Sequence, residues 1–412
     1  MDRNELRDNP TSFWNAWTEA GGNKELSLKA NIPIRTIENW VVKHDAHKPL
    51  SPVEAEIERL RATQERRVSS VNTREQARTE IILDHLTQAL TGFSPSMLKV
   101  SPPKFEYGKR RSPMGLNVML SDWHSGEVVD PMQVMGLNEY NIEIMARRVY
   151  HLERMVLTAL DIVGRAHPIP RLYLHFLGDM SNGNIHDLAE SNEVNQYEQV
   201  FVWVMLAAQL ILRLAPNFEQ VQINGVFGNH ARMKERKVAK DRYVNWDWIG
   251  YQILELMLAN QSNITCDFPR GVFTIADVEG HKCLLTHGDD IKSWQGIPWY
   301  GIQRSVAKLS ELLQAADKHF EYFMLAHFHH GAEQDRAVGE VIVNPSLVGG
   351  GEYSINGLFA SSPPRQRILC MHAEHGKTWE LGNDLSKGDK NPHPYKLPQG
   401  DSLAAAYRKV IG

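Results

Sequence analysis

From about residue 114 onward, short and largely apolar runs recur at 116–120, 172–177, 221–227, 283–286 and 322–326, with Asn117, His175, Gln222 and Asn224 as polar interruptions. Such short, mostly apolar runs read as buried strands. Longer stretches with helical spacing lie between these runs. The most apolar of them, 200–212, is interrupted by Gln209 and closed by Arg213. It falls short of the roughly 20 residues that a membrane-spanning helix needs and reads as a helix buried on a sheet. Strands alternating with helices predict an α/β domain over 115–375.

The first fifty residues follow a helical period instead and predict a small all-α domain over 1–50. A short helix carrying Phe13, Trp14 and Trp17 is followed by Gly21-Gly22-Asn23, a helix over 24–30, the turn Asn31-Ile32-Pro33 and a second helix over 34–42. The pattern is similar to a helix-turn-helix. Asn23 is the expected cap, Ser27 is small where two helices approach, and Asn31 tolerates a left-handed turn. Ile32, Ile37 and Trp40 share one face as buried anchors. Arg35, Thr36, Glu38 and Asn39 then point outward, and Arg35, Thr36 and Asn39 are candidates for contacting DNA bases or phosphates. A three-helix protein-interaction domain is the competing reading.

Residues 51–95 carry Ile57, Leu60, Val68, Ile81, Ile82, Leu86 and Leu90 without a sustained heptad, which predicts a helical connector rather than a coiled coil. A Pro-, Ser- and Lys/Arg-rich linker over 96–114 contains Lys109-Arg110-Arg111, and 376–412 reads as a polar C-terminal tail. A chain of 412 residues is expected to hold two or three domains, and 42% hydrophobic content is ample for a core. The formal net charge of −4 gives no overall attraction for polyanions, so any nucleic-acid contact is local. Three scattered cysteines and a charged N-terminus without an apolar signal core suit a cytoplasmic protein with no membrane partner. A homodimer is compatible with all of this.

Each apolar run ends in polar residues of one chemical kind. In order these are Asp122-Trp123-His124, Gly178-Asp179, Gly228-Asn229-His230, His287-Gly288 and His327-Phe328-His329. Strand ends are where α/β proteins present ligand-binding groups. Two carboxylates, an amide and a set of imidazoles form a hard-to-borderline donor set suited to Mn²⁺, Fe²⁺ or Zn²⁺. The blocks therefore point to a pair of divalent metal ions.

In this order and spacing the blocks resemble the calcineurin-like metallophosphoesterase superfamily across roughly 115–374, and 341–346 (Val-Ile-Val-Asn344-Pro345-Ser346) resembles a turn that the family places after its last metal histidines. The resemblance implies a four-layer sandwich of two mixed sheets flanked by helices. It implies that Asp122, His124 and His329 hold one ion, that Asn229, His287 and His327 hold the other, and that Asp179 bridges them. Mn²⁺ is the first expectation, with Fe, Zn, Mg or Ni as alternatives. A metal-bridging hydroxide would be the nucleophile. His230, next to a ligand in sequence, is the expected catalytic residue, steadying the transition state or protonating the leaving oxygen.

The chain departs from the family pattern at three places. Ala231 stands where an acidic residue is usual after the Gly-Asn-His block, and Ala326 replaces a common Gly. Met180-Ser181-Asn182 follows Gly178-Asp179 where Ser/Thr phosphatases have Asp-Arg-Gly. Asn182 also occupies the place where repair nucleases often carry a second histidine. His186, four residues on, is the nearest substitute and reads more simply as a loop residue.

After His230 the segment 231–242 is strongly basic. Arg232, Lys234, Arg236, Lys237, Lys240 and Arg242 are placed by sequence to meet a polyanion, with Arg232, Arg236, Lys237 and Lys240 the leading candidates. Tyr243, Trp246 and Trp248 follow as stacking or core residues, and 294–300 is a further rim. The sequence thus predicts a two-metal phosphodiesterase, a DNA nuclease first. The alternatives are a phosphatase or phosphodiesterase of small or protein substrates, with the N-terminal domain recruiting a protein partner, and a binding module.

Overall fold

The computed structural model describes residues 2–44, 112–185, 191–234, 236–292 and 298–397. The expected connector at 51–95, most of the linker, His186, much of the 294–300 rim and the end of the C-terminal tail, 398–412, lie outside them. The chain divides into two compact units.

The first unit contains helices α1 (Arg3–Asp8), α2 (Pro10–Ala20), α3 (Asn23–Ala30) and α4 (Ile34–His44). Asn9 caps α2 by accepting from Thr11 N and Ser12 N, and Pro10 sits at the first helical position, where no N–H is needed. The helix stops at Gly21, whose φ of +92° is natural only to glycine. Phe13, Trp14, Leu26, Ile32 and Ile37 are almost fully buried together, and Trp14 Nε1 donates to His44 O at 2.9 Å, tying α2 to the end of α4. Asn31 takes φ +51° and Ser27 Oγ donates to Ile32 O, which fix the turn between α3 and α4 as its residue types predict. Asn23 is a correction. It lies inside α3, the cap position is Gly22, and the Asn23 side chain accepts from Trp17 Nε1 at 2.6 Å. Arg35 and Asn39 are exposed and Thr36 is half-buried on α4.

The second unit is built on two mixed sheets. β1 (Met114–Leu120), β2 (Arg171–Phe176), β3 (Gln220–Gly225) and β4 (Ile264–Asp267) run parallel, and β10 (Ile368–His372) and β11 (Gly376–Leu381) add antiparallel on the β1 side, giving the order β11-β10-β1-β2-β3-β4. The other sheet has the order β5-β6-β7-β9-β8, from β5 (Phe273–Val278), β6 (His281–Thr286), β7 (Tyr322–Leu325), β8 (Ala332–Asp335) and β9 (Glu340–Val343). Strand alternation sorts the second sheet's residues cleanly. Cys283, Leu285, Met324 and Ile342 pack against Met119, Tyr173, Leu369 and Met371 of the first sheet. Leu284, Phe323, Leu325, Val341 and Val343 face the opposite way, toward Ile302 and Leu313 of α8 (Trp299–Gln314).

The outer face of the first sheet is covered by helices. These include α6 (Gln196–Leu214) and α7 (Trp246–Leu258), whose Trp203 and Tyr251 pack on Phe176, and α5 (Ile142–Gly164) packs beside α6. The result is the helix–sheet–sheet–helix order expected. Helix α6 is apolar and long enough to cross a membrane by composition, yet Trp203, Leu206, Leu210 and Leu214 are fully buried within the unit.

The expected polar tail from 376 is corrected. Gly376–Leu381 forms the edge strand β11, and Tyr395 is buried with its hydroxyl donating to Glu153 at 2.7 Å.

Candidate metal centre

The first sheet delivers its candidate ligands from the C-terminal ends of β1, β2 and β3, and the second from the ends of β6 and β7. At most of these ends the chain reverses within one or two residues. Asp122, His124, Asp179, His327 and His329 all have φ between +46° and +74°, a region that non-glycine residues seldom enter. So much left-handed backbone at adjoining strand ends is the kind of local strain that a binding site retains.

Glycine is required where the loops after β2 and β3 touch. A Cβ on Gly178 would collide with the backbone of Gly228, and a Cβ on Gly228 would collide with Asp179. The loops after β1 and β2 are stitched by backbone bonds, Asp122 N to Gly178 O at 3.0 Å and His124 N to Asp179 O at 3.1 Å. The Asn344-Pro345-Ser346 turn closes over the first loop: Asn344 Nδ2 donates to Ser121 Oγ at 2.7 Å, and Ser121 Oγ donates to Asp122 Oδ2 at 2.6 Å.

The side chains form three overlapping donor clusters, each with its ligand atoms within 4.8 Å of one another: Asp122, His124 and His329; His124, Asp179 and His230; Asp179, His287 and His327. Asn229 joins the last, its Oδ1 3.1 Å from His287 Nε2. Every expected metal ligand is thus drawn into one place, with Asp179 common to two clusters.

The donor set fits divalent cations. His124 Nδ1 donates to Asn182 Oδ1 at 2.9 Å, while its Nε2 is buried with no hydrogen-bond partner, as is Asp122 Oδ1, whose nearest cation is His329 Nε2 at 3.4 Å. Burial, then the neighbouring His230 and His329, hold His124 neutral by lowering its pKa to about 3, which leaves the Nε2 lone pair for a metal. His287 is arranged differently. Its Nδ1 donates to Leu177 O at 2.7 Å and its Nε2 lies 2.9 Å from Asp179 Oδ2. Burial opposes its charge, but Asp179 prevails and raises its pKa to about 10. In the metal-free chain the His287 proton therefore neutralises Asp179, and a cation binding here displaces that proton. Burial, reinforced by His287, lowers His327 to about 4, so it too is a neutral ligand.

His230 is anchored twice. Its backbone N donates to Asp179 Oδ1 at 2.8 Å and its Nδ1 donates to Asn182 O at 3.0 Å. Its ring lies 4.5 Å from that of His124, within ligand reach, so geometry alone leaves it either a ligand or the residue that acts on the leaving group.

Sequence reasoning missed the residues that hold these loops. Asp247, fully buried in the first turn of α7, accepts from Met180 N at 3.2 Å, Ser181 N at 3.3 Å and Gly228 N at 3.1 Å. One carboxylate thereby fixes the loops after β2 and β3 together. Asn245 caps α7 through Asp247 N and donates to Gly228 O at 2.8 Å. The cap is legible as an Asn two residues before an Asp at a helix start; its distant targets are not. Asn182, noted in sequence for the histidine it replaces, orients both His124 and His230.

The basic segment after His230 departs from expectation. Lys237, read as a phosphate contact, binds Asp289 Oδ2 and Asp290 Oδ1 at 2.7 Å each, and Arg242 pairs with the same two acids. Arg236 and Lys240 are exposed, and Arg232 Nη1 donates to Asn229 O at 3.2 Å. Tyr243 and Trp248 pack edge-on with Arg270 over both rings, and Trp246 packs on Tyr197, so these aromatics are half-buried in packing. Arg35, Thr36 and Asn39 belong to the first unit and are described there.

No protein-family model and no curated protein sequence matches the chain. Solved structures it is similar to include a hypothetical protein from Pyrococcus horikoshii (12% identity, 69% of this chain and 95% of that one, TM-score 0.34). A predicted phosphoesterase from Streptococcus pneumoniae (11%, 66% and 98%, 0.23) and Vps29 complexed with zinc from Entamoeba histolytica (11%, 62% and 84%, 0.28) are others. At these identities and scores the likenesses carry no chemistry over to this chain.

Proposed function

We propose that the chain is a two-metal phosphodiesterase of the calcineurin-like kind and that its substrate is DNA. The observation that carries the reading is the overlap of the donor clusters: Asp179 belongs to two of them, with His124 and His230 on one side and with His287 and His327 on the other, while His124 also joins Asp122 and His329 and Asn229 lies beside His287. A carboxylate shared in this way is what two cations about 3.5–4 Å apart require. Mn²⁺ is the favoured ion. Bound there, the pair would supply Lewis acidity toward a phosphoryl group and a water of lowered pKa.

The chain's own residues do the rest. Asn182 holds His124 so that Nε2 faces the cluster, and it holds His230 through Nδ1; the other ring nitrogen of His230 is the one we assign to the leaving oxygen. Asp247 keeps the Asp179 and Asn229 loops at fixed separation. The exposed Arg236 and Lys240 and the outward face of α4, with Arg35 and Asn39, support a polyanionic substrate over a small one.

The test is hydrolysis by the full chain with Mn²⁺ of bis-p-nitrophenyl phosphate, of single- and double-stranded DNA and of RNA. Cleavage of DNA and the small diester is expected, and Arg35→Ala should weaken DNA cleavage alone. If the diester is hydrolysed and no nucleic acid is cut, the nuclease reading gives way to a phosphodiesterase recruited by a protein partner.

A further inference from the structure

Among the described residues of the second unit, the four most exposed large apolar side chains are Phe359 (92%), Met132 (90%), Met135 (80%) and Tyr353 (77%). All four lie on two loops that meet beside the metal centre. The loop 126–140 follows the His124 block, and the loop 347–362 follows the Asn344-Pro345-Ser346 turn. Asp130 N donates to Glu352 Oε1 at 2.9 Å and Asn356 Nδ2 donates to Gln133 O at 3.2 Å, which joins the loops to each other. The second loop is tied to the ligands at both ends, by Leu347 N donating to Asp122 O at 3.1 Å and by Ser362 Oγ donating to His329 O at 2.5 Å. Between these ties it buries Ile355 and leaves Tyr353 and Phe359 in solvent. The backbone there is strained. Tyr353–Gly357 is a π-type turn, and Phe359 and Met135 hold φ of +51° and +55°, which bulky residues rarely adopt. Neither loop contains a lysine or an arginine. The rim therefore offers a phosphate no cation, and what it presents to a substrate is aromatic faces and apolar area.

We propose that Tyr353 and Phe359 form a stacking platform for a nucleobase of the substrate whose phosphate lies at the metal cluster. The proposal rests on the phosphodiesterase reading and narrows it to substrates that carry bases along their backbone. Because the ties at Asp122 and His329 fix the rim to the ligand loops, a group extending from the bound phosphate is what meets it. An aromatic side chain stacks on any base through its π face, so the contact favours a base-bearing chain without selecting its sequence. Met132 and Met135, flexible and polarizable, adapt to whichever base lies against them.

Calorimetric binding to the full-length protein with Mn²⁺ tests this, with tetrathymidylate compared against an abasic tetramer of the same charge, both phosphorothioate-linked to slow cleavage. The wild type should bind the base-bearing tetramer about 10-fold tighter, the size of one stacked base. Tyr353→Ala with Phe359→Ala should erase that advantage while metal content and affinity for the abasic tetramer stay unchanged. Both side chains are exposed, so the fold does not depend on them. Tyr353→Leu with Phe359→Leu keeps apolar area without π faces and should also lose the advantage, whereas Phe359→Trp should keep it. Equal affinities for the two tetramers in the wild type, or an advantage that survives in the alanine or leucine variant, overturns the platform. So does a wild-type dimer that the alanine variant converts to a monomer without changing either affinity, because a second copy then covers the rim. Hydrolysis of bis-p-nitrophenyl phosphate is scored separately: its absence with the base advantage intact removes the phosphodiesterase reading and leaves a nucleotide-binding rim.

Discussion

The two sheets contribute unequally to the centre. The six-stranded sheet supplies both carboxylates, the amide, and His124 and His230, on loops bound to one another by backbone hydrogen bonds and clamped by Asp247. The five-stranded sheet supplies imidazoles, His287, His327 and His329, and reaches across through a few bonds, chiefly His287 Nδ1 to Leu177 O and Leu347 N to Asp122 O. One side is a rigid acidic cradle and the other a set of neutral or proton-bearing donors laid over it. The cradle is held by the chain's own hydrogen bonds, whereas the seam between the sheets is completed by whatever positive charge sits in it. The proton on His287 fills that role in the metal-free chain, and at His329, where burial opposes charge, Asp122 still raises the pKa of the imidazole.

Removing the shared charge has the largest expected effect. Asp179→Asn should strip metal from both sides of the seam and reduce turnover to background, because the amide neither bridges two cations nor balances them. Elemental analysis of the purified variant decides it. Two tightly held ions and unchanged turnover would take Asp179 out of the bridge. Replacing His329, which meets only one cluster, should leave roughly half the metal in place.

His230 comes next. If it acts on the leaving group, His230→Ala keeps its metal and loses about 10²–10⁴-fold in turnover. A loss of metal that tracks the loss of activity would make it a ligand beside His124 and Asp179. This measurement separates the two roles that the geometry permits.

The clustered side chains of the cradle were legible in the sequence because each largely apolar run ends in a polar block: chemistry changes there while burial does not, Asp122, His124, Asp179 and His287 being as buried as the strands before them. The supporting parts were not. β11 alternates half-buried and exposed residues at a sheet edge, which reads as a polar segment, and Tyr395 is a single anchor with no periodic signal around it. Nothing local to Lys237 reveals that Asp289 and Asp290, about fifty positions away, neutralise it. Asp247 lies in the first turn of α7, and nothing around it in the chain points to the Met180, Ser181 and Gly228 N–H groups that it accepts from. In each case the deciding partner is distant in sequence.

Metal should also act as a structural tie across the seam. Mn²⁺ at about 100 times its Kd should stabilise the protein by about 2.7 kcal/mol through preferential binding to the folded chain. Because His287 must release a proton that it holds up to about pH 10, that gain, at a fixed Mn²⁺ concentration, should shrink steadily as pH falls below about 10. Thermal unfolding with and without chelator at several pH values measures it, and a metal-induced shift independent of pH would contradict displacement of the His287 proton.

The smallest expected effect probes the clamp within the cradle. Burial first, and then the charge of Asp179, push the Asp247 carboxyl up to about 7 from 3.8. Between those values the folded chain holds a proton that the unfolded chain has lost. Metal-free stability should therefore fall as pH rises from about 4 to about 7 and level off above. Asp247→Asn cannot ionise, so it should flatten this part of the profile. It should also lower stability at acid pH by about 1–3 kcal/mol, since its Nδ2 would replace the oxygen that accepts from Gly228 N and leave a buried N–H unpaired. Bound cations cancel the charge of Asp179, so the wild-type slope should be shallower with metal than without. Urea unfolding of both proteins across pH 4–8, with and without Mn²⁺, distinguishes these cases. An identical slope in the wild type and Asp247→Asn would show that the pH dependence arises elsewhere and that Asp247 joins the two loops without carrying the proton.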